Sequence, residues 1–156
     1  MDSLDFVPYE TAKKLKAAGF DEPCDHYYTS NKAMRVVKGN ALAPETTNNR
    51  FLEEISDECC TAVPLWQAQK WLREKKEINV LIGDCACGYY WEASKAGDEQ
   101  TRGTMLIYYD GNGEDECSGM WLSYEAALSA GIDAALELIL CLSSEKAQQI
   151  KELKQK

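Results

Sequence analysis

Cys85 and Cys87, one residue apart in the stretch LIGDCACGYYWEA, are the residues of this chain that most invite chemistry, because paired thiolates bind zinc or exchange disulfides. A zinc knuckle takes two cysteines separated by two to four residues, plus a second such pair, so that all the sulfurs can face one tetrahedral ion. Cys85 and Cys87 are closer than that. Cys24 with His26, Cys59 with Cys60, and Cys117 do not supply the spacing either. A redox pair relies on a helix N-terminus to lower a thiol pKa, and no helix is expected here. The run from Gly83 to Gly88 therefore reads as a connection between two strands, its glycines supplying positive φ and its cysteines acting as small half-buried hydrophobes. No metal and no cofactor is expected.

The other candidates fail on similar grounds. In DGNGEDE, oxygen ligands alternate at Asp110, Asn112 and Glu114, but a calcium loop of the EF-hand kind needs glycine sixth and glutamate twelfth, where this chain has Asp115 and Trp121. An exposed acidic turn is the better reading. The run also lacks the lysine and the following helix of a phosphate loop. His26, the only histidine, could be combined with Asp25 and with Cys59 or Cys60 into a hydrolase trio, yet nothing around them resembles a nucleophile motif. A strand-surface histidine is expected, and no catalytic residue.

Composition narrows the class further. A chain of 156 residues is the size of one domain and buries roughly 70% of its unfolded surface, so it needs no metal or disulfide staple. No run approaches the roughly 18 apolar residues of a membrane span, and MDSLDFVPYE does not read as a secretion signal. The expectation is a cytoplasmic protein with no membrane association, whose seven cysteines stay reduced. A formal charge of −9 repels phosphate backbones, so nucleic acid is a poor expectation and a basic protein partner a better one.

The elements that would carry such residues can be read from periodicity and turn residues. Pro8 opens a helix that ends before Gly19, with Ala12, Leu15 and Ala18 or Phe20 inward. CDHYYT and AMRVVKG, separated by Ser30, Asn31 and Lys32, form a β-hairpin. Residues 39–61 are a long loop with one helical turn near Arg50 to Ile55, a length that either counts against the assignment or marks a functional or mobile segment. Thr61 or its neighbour caps a helix from Pro64 that buries Leu65, Ala68, Trp71 and Leu72. INVLI, YYWEAS and TMLIYYD form a three-stranded antiparallel meander, with Ile78, Val80, Ile82, Tyr89, Trp91 and Ala93 on one face and Tyr90, Glu92, Leu106 and Tyr108 on the other. Ser123 caps a long helix packed on one face of the sheet, in which Tyr124, Leu128, Ile132, Ala135, Ile139 and Leu142 step by three and four. Gly131 interrupts it where close packing is expected. The fold class is α+β: residues 1–143 form one domain, and 144–156 form a polar tail, helical or frayed.

Three positions on this frame lack an explanation in the core. Trp66 lies about 100° from Leu65 on its helix. Leu136 and Leu140 lie off the buried stripe of the last helix, so the 39–61 loop, the C-terminal tail or a second copy must cover them. Cover from within the chain, and hence a monomer, is favoured over a homodimer. The basic cluster Lys70, Arg73, Lys75 and Lys76 reads as a solvated helix end matched to the macrodipole, and it is where nucleic acid would bind if it binds at all. The helix, three strands and helix from Pro64 follow the order of a double-stranded RNA-binding domain, but SYEAALSAGID puts acids where such a domain needs lysine.

TAKKLKAAGFDEPC, AVPLWQAQKWLREKKEINV and SYEAALSAGIDAALELI together resemble a group of small proteins from gut-bacterial prophages and mobile elements. The resemblance covers most of the chain in three blocks. It implies a compact α+β protein of mobile-element origin in a bacterial host, and it carries over no activity and no catalytic residue. The function expected is that of a non-enzymatic accessory protein that binds a protein partner. A nucleic-acid-binding module and a small cysteine-dependent enzyme are the alternatives.

Overall fold

The computed structural model describes residues 3–39, 45–85, 88–95, 106–109 and 121–154. After a 3-10 turn at Ser3–Asp5, the elements are α1 (Tyr9–Ala17), β1 (His26–Tyr28), β2 (Met34–Val36), α2 (Asn49–Glu53), β3 (Cys60–Thr61), α3 (Leu65–Lys76), β4 (Ile78–Cys85), β5 (Gly88–Lys95), β6 (Leu106–Tyr109) and α4 (Tyr124–Lys154). They build two antiparallel sheets in the orders β2-β1-β3 and β4-β5-β6. This is the α+β arrangement the periodicities imply.

Helix α1 ends at Gly19, whose φ of +99° suits a residue without a Cβ, and it buries Ala12 and Leu15. Helix α3 buries Leu65, Ala68, Trp71 and Leu72, the four residues of its apolar stripe. Its start differs from expectation. Thr61 caps nothing; it is fully buried in β3, and Pro64 holds the cap position with no side-chain bond. Proline is tolerated there because its missing N–H would have no helical partner anyway.

The second sheet carries α4 on one face. Val80 stands opposite Ala93 and Ile82 opposite Trp91, so the inward set forms across the two long strands as the alternation predicts. The third strand is the exception: Leu106 pairs with Lys95 and Tyr108 with Ala93, one residue out of phase with the expected parity. LIYY is apolar at both parities, so alternation could not fix its register. Gly131 of α4 lies against this sheet so closely that a Cβ would sit 2.7 Å from Val80 Cγ1 and 3.0 Å from Trp91 Cβ. Ser123 caps α4 by accepting from Ala126 N at 3.1 Å.

Of its two expected forms the polar tail takes the helical one, since α4 continues to Lys154. Leu136 is 0% exposed, buried in the core formed where α4 packs on α1, α3 and the sheet. Lys14 of α1 reaches Asp133 and Glu137, each at 2.9 Å, and Thr11 Oγ1 donates to Asp133 at 2.9 Å. These bonds hold α1 along the α4 face that carries Leu136, so Leu136 cannot serve as a contact for another molecule. Burial lowers the Lys14 pKa, but its bonds to Glu137 and Asp133 outweigh that and hold it above its ordinary value. By length and composition Tyr124–Glu145 would suffice to cross a membrane, yet its Leu128, Ile132, Ala135 and Leu136 are packed in this protein's own core.

Candidate binding groove

The groove lies between the first hairpin and α2, in the region that reads from sequence as a long loop. Val37 N donates to Asp25 O at 2.8 Å, and Thr29 N donates to Ala33 O at 2.9 Å. The register His26 to Val36, Tyr27 to Arg35, Tyr28 to Met34 therefore makes Tyr27 and Arg35 the hydrogen-bonded pair between them. Tyr28 anchors the hairpin from its other face, donating from its hydroxyl to Val7 O at 2.7 Å. Lys32 at the tip adopts φ +65°, with its ammonium 3.0 Å from Glu10 and 5.3 Å from the Tyr9 ring centroid.

Helix α2 is only five residues long and would not persist alone. Polar side chains fix it. Asn48 accepts from Phe51 N at 2.9 Å as its cap, and Asp21 accepts from Arg50 N at 2.9 Å. Asn49 is buried; it donates to Phe20 O at 2.7 Å and accepts from Thr61 N at 2.9 Å, tying α2 to the end of α1 and to β3. With Leu52 buried, Phe51 and Ile55 are left facing outward, 57% and 66% exposed.

Between these walls is a groove of about 1380 Å³, bounded by Tyr27, Arg35 and Val37 on the hairpin and by Thr47, Phe51 and Ile55 on the opposite side. Arg35 and Lys38 line it, make no ion pair among the described residues, and meet no acidic side chain in its walls. The Thr47 hydroxyl is buried in the wall without a hydrogen-bond partner among the described residues.

Two buried thiols near this groove, Cys24 and Cys60, are poor nucleophiles. Burial pushes Cys24 up to about 12, and it pushes Cys60 up to about 11 against the pull of Lys16 and Lys13. Cys24, Cys59 and Cys60 are buried and Cys141 is exposed, all as free thiols. His26 is half-buried rather than a surface residue, with its ring 4.7 Å from that of Phe6 and its Nδ1 2.7 Å from Asp25 Oδ1. No described thiol bonds to it. No group of three metal-ligating side chains occurs among the described residues. The connection between strands is shorter than the expected Gly83–Gly88 run, because β4 continues through Gly83 and Asp84 to Cys85, which pairs with Gly88; Cys87, Cys117 and the DGNGEDE run lie outside the described residues.

Of the positions singled out in the sequence, Trp66 is 62% exposed on the outer side of α3, with Lys70 and Arg73 exposed one and two turns further along the same stripe. Lys75 is exposed, and Lys76 lies over the Trp71 ring at 5.4 Å from its centroid. Leu140 is half-buried. Sequence reasoning missed the groove because its walls are assembled from three separate segments. The one legible signal was the pair Phe51 and Ile55, apolar residues four apart in an otherwise polar stretch. Compared with known proteins, the chain matches no family model, no curated protein and no solved structure.

Proposed function

We propose that this chain is a non-enzymatic accessory protein that works as a monomer in the cytoplasm of a bacterial host and binds a protein partner in the groove between the first hairpin and α2. The observation that carries the reading is the concentration of Val36, Phe51 and Ile55, each more than half exposed, around one groove. Its volume exceeds the roughly 300–1,000 Å³ of small-molecule sites, which favours a peptide segment as occupant. Arg35 and Lys38, without an ion pair among the described residues, give the groove a charge opposite to the chain's net −9, so the segment it favours is acidic, whatever basic surfaces the rest of the molecule attracts. Against Cys24 or Cys60 as a nucleophile stand their raised pKa values, since a catalytic cysteine needs a lowered one. The test is selection of a random dodecapeptide library on the immobilised protein. Enriched peptides should be apolar and acidic, and should lose binding to Phe51→Ser; an absence of enrichment, or equal binding to that variant, refutes the reading.

A second reading, nucleic-acid binding at α3, is favoured by one observation: Trp66 shares an exposed stripe with Lys70 and Arg73, which have no described acidic partner, an arrangement suited to stacking one base and meeting flanking phosphates. Titrating single-stranded DNA at low salt should quench tryptophan fluorescence in wild type and not in Trp66→Ser if that reading is right.

A further inference from the structure

Resting on the groove reading above, we infer that the open edge of β2 takes an extended segment of the partner as an added strand, in the order partner-β2-β1-β3, with apolar side chains on the groove face that Phe51 and Ile55 line and acidic ones on the opposite face, toward Lys38. The main chain supplies the first argument. Because Tyr27 and Arg35 form the hydrogen-bonded pair, Met34 and Val36 direct their N–H and C=O groups away from β1. No described group bonds to them, and β2 is the terminal strand of its sheet. Four main-chain groups thus stand in the ladder geometry that strand addition uses.

The groove supplies the second argument. It is lined by Met34 and Val36 as well as by Arg35 and Val37, residues of both parities, so it opens along the strand's edge and not merely over one face of the hairpin. An added strand would lay one row of side chains along the groove that Phe51 and Ile55 also line.

Charge chooses between occupants. Two copies of this chain pairing β2 to β2 across a twofold axis would bring Arg35 toward Arg35, and like charges directly opposite destabilise a strand pair. A basic peptide meets the same repulsion. An acidic and apolar segment meets Arg35 and Lys38 favourably and covers Val36, so it is the chemistry the edge admits.

The probes are fluorescein-labelled octapeptides read by fluorescence anisotropy: alternating valine and glutamate, alternating valine and lysine, and two N-methylated forms of the first, methylated at every valine or at every glutamate. In an extended strand the N–H groups of alternate residues point to opposite edges, so each methylated form blocks one edge only. The glutamate peptide should bind at least about tenfold more tightly than the lysine peptide, and Phe51→Ser should abolish the difference. One methylated form should bind within about twofold of its parent, and the other at least about tenfold more weakly. Equal binding of the two methylated forms would overturn strand addition while leaving the groove reading intact. Tight binding that ignores Phe51→Ser would overturn the groove reading itself. Failure of the glutamate peptide to bind, with a light-scattering mass of two chains that falls to one in Val36→Lys, would overturn the inference by assigning the edge to a second copy.

Discussion

Replacing Asn49 with alanine should cost about 3 kcal/mol, because the side chain bonds the main chain of two other segments in a buried site. It is 4% exposed, its amide donates to Phe20 O at 2.7 Å, and its Oδ1 accepts from Thr61 N at 2.9 Å and from Thr61 Oγ1 at 3.4 Å. Truncation strands the Phe20 carbonyl and the Thr61 amide in a site that excludes solvent, and each orphaned buried group costs about 1–3 kcal/mol. Asn49→Asp should lose a similar amount at neutral pH, since it keeps the acceptor, loses the donor and buries a charge. Its deficit should shrink on acidification, because a protonated carboxyl can again donate to Phe20 O. Urea unfolding followed by circular dichroism reads the loss as a lower midpoint at unchanged slope. A loss below about 0.5 kcal/mol would refute the claim that Asn49 clamps α2, since that is the size expected of an ordinary surface substitution.

At Gly131, isoleucine should cost well over 1 kcal/mol despite the gain in helix propensity, because its Cβ alone would sit 2.7 Å from Val80 Cγ1; a neutral result in urea unfolding would mean α4 is held more loosely against the sheet. Asp133→Asn should cost about 1–2 kcal/mol by weakening the bonds to Lys14 and Thr11, with the loss reduced in the Lys14→Met background, since a double-mutant cycle counts the shared bond once. Cys24 and Cys60 have folded pKa values of about 12 and about 11 against an ordinary 9.0, so both contribute stability that is intact below pH 9 and is lost as the pH climbs through those values; urea midpoints should fall between pH 9 and 11, less so in Cys24→Ala. In the native protein Ellman's reagent should titrate Cys141 at once, and Cys24, Cys59 and Cys60 only after urea is added.

The second half of the fold was legible because its signals are periodic. Leu65, Ala68, Trp71 and Leu72 repeat at helical spacing, and Val80, Ile82, Trp91 and Ala93 alternate, so burial follows from pattern alone. Where pattern is absent the reading stopped. LIYY has no polar position to set its phase, and β3 is two residues long, too short to announce itself. Leu136 lies off the expected stripe yet is buried, and α1 packs on α4 from more than 110 residues away through a bond from Thr11 to Asp133 that leaves no mark at either position. The groove was hidden for the same reason: Val36, Thr47 and Phe51 are brought together by Asn48, Asn49 and Asp21, three short polar residues that read as ordinary turn composition.

That difference in construction bears on where binding can occur. A segment fixed by a continuous apolar stripe has its hydrophobic side chains committed inward, as α3 and α4 do around Trp71, Ile132 and Leu136. A segment fixed by polar bonds to the main chain needs no such commitment. Helix α2 contributes only Leu52 to the apolar core, and Asn49 is its other buried residue, so Phe51 and Ile55, just past its end, are free of any structural duty inside. Leaving each exposed forfeits roughly 1.5–3 kcal/mol of burial that a partner can recover. The edge of β2 beside them is in the same condition, since no described group bonds to its outward N–H and C=O groups. Unspent apolar surface and unspent ladder bonds therefore meet at one groove, and they do so because this part of the chain is held by Asn49 and its neighbours instead of by a core.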